Sequence, residues 1–176
     1  MNSGKQFEKD WKKSIENSEQ PIYFLRLQDS PSSFGQDSHF VRFTNRNPYD
    51  SFCFFEGNLY CTELKHTKNT SFSFQTSKED KSQKMIKWTQ IKGLERASEY
   101  NGVFAGFIFD IDKGGYVSTY WLNIKDFLRF FSETDKKSIN EEDIQKYNGL
   151  QIQSRRLKVS YRYDVLDMFI KIRKRK

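Results

Sequence analysis

Cysteine is scarce in this chain, with two among 176 residues. Two thiols build no disulfide framework, which excludes the small stapled secreted folds. No secretory leader opens the sequence, because Met1-Asn2-Ser3-Gly4-Lys5 leads straight into an amphipathic stretch. No apolar run approaches the ~20 residues that cross a bilayer, so no membrane partner is expected. Internal repeats and low-complexity linkers are also lacking, which argues against repeat arrays and strings of domains. What remains is one cytoplasmic domain over residues 1–176, with free thiols. The Asn69-Thr70-Ser71 sequon, without a secretory route, reads as chance.

Positive charge and aromatic bulk are abundant instead. Thirty Lys and Arg stand against 23 Asp and Glu, a formal net charge of +7 with a pI near 9.3. Seventeen Phe, 9 Tyr and 3 Trp supply a real core despite a mean hydropathy of -0.84. A small basic, aromatic-rich domain fits a polyanionic partner, nucleic acid first. A soluble domain with a solvated basic face is the other reading that charge alone allows.

Phe7, Trp11 and Ile15 recur at helical spacing and predict an amphipathic helix from about Ser3 to Ser18, which Pro21 stops. Residues 21–28 read as a strand. Residues 29–46, rich in Ser, Asp and Asn, read as a protruding excursion. Strands follow at about 49–56 and 58–66, joined at Glu56-Gly57-Asn58, then a polar loop at 67–76. Ser77, with Asp80 at the third helical position, predicts a helix to about Tyr100 with an apolar stripe of Met85, Trp88, Ile91 and Leu94. Residues 103–111 are an apolar run suited to a strand buried on both faces, and 116–122 a further strand. Asn123 caps a Phe-rich helix; Ser138 with Glu141 forms a second capping box, closed at Asn148-Gly149. A short strand near 150–153 and a last helix opened by Asp164 complete an α/β sheet sandwich.

The chemistry is carried by Asn47-Pro48-Tyr49-Asp50 and Glu63-Leu64-Lys65. Two carboxylates can hold a divalent cation beside a phosphate, and a lysine can orient water and offset developing charge. If Gly57-Asn58 is the two-residue hairpin loop, Asp50 faces Lys65 and Phe52 faces Glu63. Asp50, Glu63 and Lys65 then share a face, with the two acids as diagonal neighbours at ~7 Å or less. The same register puts Cys53 and Cys61 on opposite faces, so no disulfide joins them. On spacing alone an ordinary salt-bridged hairpin is the commoner source of the bare triplet, and a solvated Glu8 paired with Lys12 the commoner reading of Glu8.

These residues resemble the RecU-type Holliday junction resolvases, within the restriction-endonuclease-like PD-(D/E)XK nucleases. The resemblance starts at Gly4-Lys5-Gln6-Phe7-Glu8 and runs through Asp50, Glu63-Leu64-Lys65 and Lys68-Asn69-Thr70-Ser71-Phe72. It continues through Gln83, the strand at 103–111 and Tyr120-Trp121-Leu122. It implies a central mixed β-sheet flanked by helices, and a homodimeric endonuclease that cuts four-way DNA junctions with Mg²⁺, Mn²⁺ being able to substitute. It implies metal binding by Asp50, Glu63, the Leu64 carbonyl and Gln83, with catalysis by Lys65 and a further acid at Glu8. Family members usually carry a polar residue before the first acid, where this chain has Pro48-Tyr49. The excursion at 29–46 occupies the place of the family's stalk. Lys5, Arg26, Arg42, Arg46 and Lys68 flank the site as candidates for phosphate contacts. A same-fold nuclease for other branched, flap or duplex DNA, and a non-catalytic basic DNA-binding module, are the alternatives.

Overall fold

The computed structural model describes residues 3–27 and 47–175. The excursion at 29–46, with Arg42 and Arg46, lies outside the described residues.

Helix α1 (Ser3–Glu16) buries Phe7, Trp11 and Ile15 along the stripe that the sequence predicts. Strands β1 (Tyr23–Arg26), β2 (Ser51–Phe55) and β3 (Asn58–Thr67) form an antiparallel meander. The β2–β3 turn sits one residue earlier than expected. Glu56 and Gly57 are its central residues, with φ of 44° and 78°. Positive φ at both central positions is what a type I′ hairpin turn requires, and the glycine adopts it without a Cβ penalty. Asn58 instead starts β3 and donates its side-chain amide to the Glu56 carbonyl at 3.0 Å. The pairs are therefore Phe52 with Cys61 and Cys53 with Tyr60. A one-residue move of the turn shifts partners by two, an even step, so every side chain keeps its face.

A short strand β4 (Ser71–Ser73) interrupts the loop expected at 67–76. Helix α2 (Trp88–Ala97) is shorter than expected. The Ser77 hydroxyl accepts from the Glu79 N–H at 3.2 Å, and Asp80 accepts from the N–H groups of Thr76 and Ser82. Short polar side chains that bond nearby backbone compete with helix, and here they hold a looped segment instead. Ile86 bridges to Phe74 before the helix begins.

Strands β5 (Val103–Asp112) and β6 (Val117–Asn123) are joined by a tight turn. Asn123 caps α3 (Ile124–Glu133) as predicted, accepting from the Lys125 N–H at 2.9 Å. The next cap falls on Asn140 and Asp143 rather than Ser138 and Glu141, with reciprocal bonds of 2.9 and 3.3 Å. Ser138 is committed to strand β7 (Ser138–Asn140), which pairs with β4, so it cannot open α4 (Glu141–Lys146). Strands β8 (Leu150–Ile152), β9 (Ser154–Arg156) and β10 (Tyr161–Tyr163) follow, and Asp164 caps α5 (Val165–Lys174). The sequence reading missed the β9–β10 hairpin.

The main sheet runs β1-β2-β3-β5-β6-β8. Only β3 and β5 pair in parallel among these neighbours, so the sheet is mixed. The buried 103–111 run is β5, covered on both faces as its composition requires. One face packs Phe107, Phe109 and Phe127 into a core beneath α2 and α3. The other packs Trp11, Ile108 and Phe169 beneath α1 and α5. Cys53 and Cys61 are free and buried in opposite cores. This is the central mixed sheet flanked by helices that the resemblance implies, in one α/β domain.

Candidate active site

Asp50, Glu63 and Lys65 meet where β2 stops short and leaves the edge of β3 open. Asp50 ends the irregular segment before β2, and its carbonyl accepts from the Leu27 N–H at 2.8 Å. Its Oδ2 accepts from the Leu64 backbone N–H at 2.9 Å, which pins the carboxylate against β3. The observed register, extended past Ser51, sets Asp50 level with Glu63 rather than Lys65. A strand residue directs its N–H and C=O to the same side, so the Leu64 carbonyl faces this edge too.

Glu63 is 1% exposed. Its Oε1 accepts from the Lys65 Nζ at 2.8 Å and from the Gln90 side-chain amide. Its Oε2 is buried and has no hydrogen-bond partner. Burial pushes the Glu63 carboxyl up to about 7; the Lys65 ammonium pulls it down and the Asp50 carboxylate pushes it up again. Two acids held together in this way, one with an orphaned buried oxygen, fit a divalent cation. Among the described residues no cluster of three or more His, Cys, Asp or Glu side chains forms a metal cage. Mg²⁺ suits that donor set, because it uses one or two carboxylates, retains waters and takes substrate phosphate oxygens.

Pro48 and Tyr49 are structural. Pro48 lies against Gly93 of α2, where a Cβ would stand 2.5 Å from the Pro48 carbonyl oxygen. The Tyr49 hydroxyl, raised chiefly by burial, contacts the Cys61 thiol. Together they dock the Asp50 segment onto the α2 side of the sheet. Behind Lys65, the His66 Nδ1 lies 2.8 Å from Asp110 Oδ2, and Thr119 donates to the other Asp110 oxygen at 2.6 Å. This ties β3, β5 and β6 together at the level of the site.

None of the remaining described candidates is hydrogen-bonded or ion-paired to the side chains of Asp50, Glu63 or Lys65. Glu8 is ion-paired with Arg26 at 2.6 Å on the edge strand, not with Lys12. Lys12 instead pairs with Glu16 at 3.6 Å. Gln83 is exposed in the loop before α2. The glutamine that reaches Glu63 is Gln90, whose Oε1 also accepts from the Lys87 N–H at 2.9 Å. Its signal in the sequence is a glutamine at the third helical position, three residues after the Lys87 cap and beside the Trp88-Ile91 stripe. Lys5 and Lys68 are exposed, on the first turn of α1 and just past β3.

Fold and site together define an α/β protein with two carboxylates, a lysine and a glutamine gathered at β3 within a mixed sheet. No family model matches the chain. The SPbeta prophage-derived uncharacterized protein YotM of Bacillus subtilis (strain 168) is 33% identical over 173 residues, covering 92% of this chain and 82% of that protein. The chain belongs to the family of that protein. Among solved structures, Hjc of Archaeoglobus fulgidus, a Holliday junction resolvase from an archaeal hyperthermophile, is similar with a TM-score of 0.47 and 14% identity. That match covers 84% of this chain and 95% of the other.

Proposed function

We propose that the chain is a metal-dependent endodeoxyribonuclease of the RecU-type, PD-(D/E)XK kind that hydrolyses phosphodiesters at four-way DNA junctions. The observation that carries this is the Asp50–Glu63 pair beside Lys65, with Glu63 Oε2 buried and unpartnered. A bare salt-bridged hairpin would satisfy that oxygen or expose it. Asp50, Glu63 and the Leu64 carbonyl would hold Mg²⁺, with Mn²⁺ able to substitute. When bound, the metal supplies Lewis-acid polarisation of the phosphate and lowers the pKa of water. Lys65 positions the attacking water and offsets charge on the transition state, as a compact mobile cation can. Gln90 fixes the rotamer of Glu63, leaving Oε2 directed at the site. Lys5 and Lys68 supply phosphate contacts. Two nicks resolve a four-way junction, so the working unit is a homodimer.

The test is cleavage of a synthetic four-way junction beside linear duplex and flap DNA, with Mg²⁺. The junction should be cut preferentially. Asp50→Asn and Lys65→Ala should stop cutting yet keep junction binding in Ca²⁺. Equal cutting of all three substrates removes the junction assignment. Near wild-type cutting by either variant removes the site.

A further inference from the structure

Some described cations are neutralised by ion pairs, as in Arg26–Glu8, Lys113–Glu141 and Lys171–Asp167. The β9–β10 hairpin concentrates unpaired cations on one short ribbon with no acid among them. Between Gln151 and Tyr163 the chain holds Arg155, Arg156, Lys158 and Arg162 and no acid. All four are exposed, and among the described residues none is ion-paired with a carboxylate. Arg156 donates to the Gly115 carbonyl at 3.0 Å and Arg162 to the Asn17 carbonyl at 2.7 Å. A carbonyl orders a guanidinium without cancelling its charge, so less entropy is lost when an anion arrives. The tip adds two aliphatic side chains, Leu157 at 42% and Val159 at 89% exposed.

The hairpin's position is also informative. Strand β8 runs antiparallel to β6, and β9 continues its course to the Gly115 turn beyond the sheet. That is the end where β3 leaves the sheet, with Thr67 level with Ile111. Lys65 is level with Phe109, and β5 ends at Asp112, a rise of ~10 Å at ~3.3 Å per residue. The hairpin packs on the α1 face through the Tyr161 and Tyr163 N–H groups, whereas Glu63 lies on the α2 face. The end of the sheet separates them by less than about one duplex turn of ~34 Å. The cationic end of α5 lies elsewhere, with Arg173 paired to Glu56 in the β2–β3 turn.

We propose that the β9–β10 hairpin is a second DNA-contact element, gripping the phosphate backbone of the duplex arm that leaves the Asp50–Glu63 site. This rests on the nuclease reading above for its ligand. A two-stranded ribbon is narrow enough to lie against a duplex groove. Its cations take phosphates, and Leu157 and Val159 rest on the sugars between them.

The experiment is anisotropy of a labelled four-way junction in Ca²⁺, from about 50 to about 200 mM salt. Arg155→Gln/Lys158→Gln should weaken binding about tenfold and flatten the slope of log K against log salt by ~1.8. Arg173→Gln should keep the wild-type slope. Circular dichroism checks that each variant is folded. A double variant with wild-type slope and affinity overturns the proposal. So does an equal loss in Arg173→Gln, which would make net charge the cause. Unchanged DNA binding with lost binding to phosphatidylserine vesicles overturns it in favour of a lipid surface. A wild type that binds junctions without cutting them sinks the nuclease reading alone, and the slopes still decide the hairpin. A wild type that binds no DNA sinks both.

Discussion

Glu63 is the residue on which the site turns, and its protonation has a measurable sign. Its carboxyl is raised from 4.5 to about 7, chiefly by burial. Between those values the folded, metal-free chain holds a proton that the unfolded chain has released. Stability therefore falls as pH rises from about 5 to about 7, by at most about 3 kcal/mol. Urea titrations in chelator should show this loss, and Glu63→Gln should remove it, gaining stability at pH 8 while abolishing cleavage. An equal pH dependence in both proteins would exclude Glu63 as the group responsible. Gln90 makes a second prediction, because a donor that orients a metal-binding carboxylate typically matters 10–100-fold. Gln90→Ala should raise the Mg²⁺ concentration for half-maximal cleavage by about that factor, and Gln83→Ala should not move it. The acids and the lysine were legible from their spacing. That Gln90 reaches Glu63 was not legible, because residues 77–87 are a loop and the helix that presents Gln90 starts later than its polar lead-in suggests.

At the scale of elements, the segment before β2 depends on the face of α2 beneath it. A helix-interior glycine normally gives up about 1 kcal/mol relative to alanine. At Gly93 a Cβ would meet the backbone and ring of Pro48 at 2.5–2.6 Å, and neither is the free end of a flexible side chain. Overpacking of this kind costs about 1–3 kcal/mol, so the clash outweighs the propensity gain. Gly93→Ala should lower stability and slow cleavage together by shifting Asp50. Thr89→Ala, exposed on the same helix, should be neutral or slightly stabilising in the same thermal melts. Stability equal to wild type in Gly93→Ala would mean that Pro48 does not rest on α2. The sequence announced the β2–β3 hairpin and its faces, since periodicity of two survives a shift of two. The phase of the turn was not legible, because Glu56-Gly57 and Gly57-Asn58 both offer a glycine and only positive φ at Glu56 separates them.

At the scale of the whole molecule, the two ends of the chain are bound together by polar groups that no local pattern reveals. The α1 stripe of Phe7, Trp11 and Ile15 was readable as a buried face. What the helix docks against was not, because its Ser14 and Asp10 find their partners 149 and 151 residues away. Asp10, 2% exposed, accepts from the Tyr161 N–H at 2.9 Å and from the Gln6 amide at 2.7 Å. The Ser14 hydroxyl accepts from the Tyr163 N–H at 2.9 Å. These two bonds give β10, half of an exposed hairpin, its attachment to the body of the protein. Asp10→Ala leaves the half-buried Tyr161 N–H without its partner, which costs at most about 1–3 kcal/mol. Because every layer packs on one sheet, the loss should appear as one cooperative unfolding transition at lower denaturant with an unchanged slope. Amide exchange should quicken first at Tyr161, ahead of the central strand β5. If Asp10→Ala unfolds at the wild-type midpoint, the hairpin is held by its aromatic contacts to α1 alone, and the charged tip then moves independently of the helix that carries Lys5.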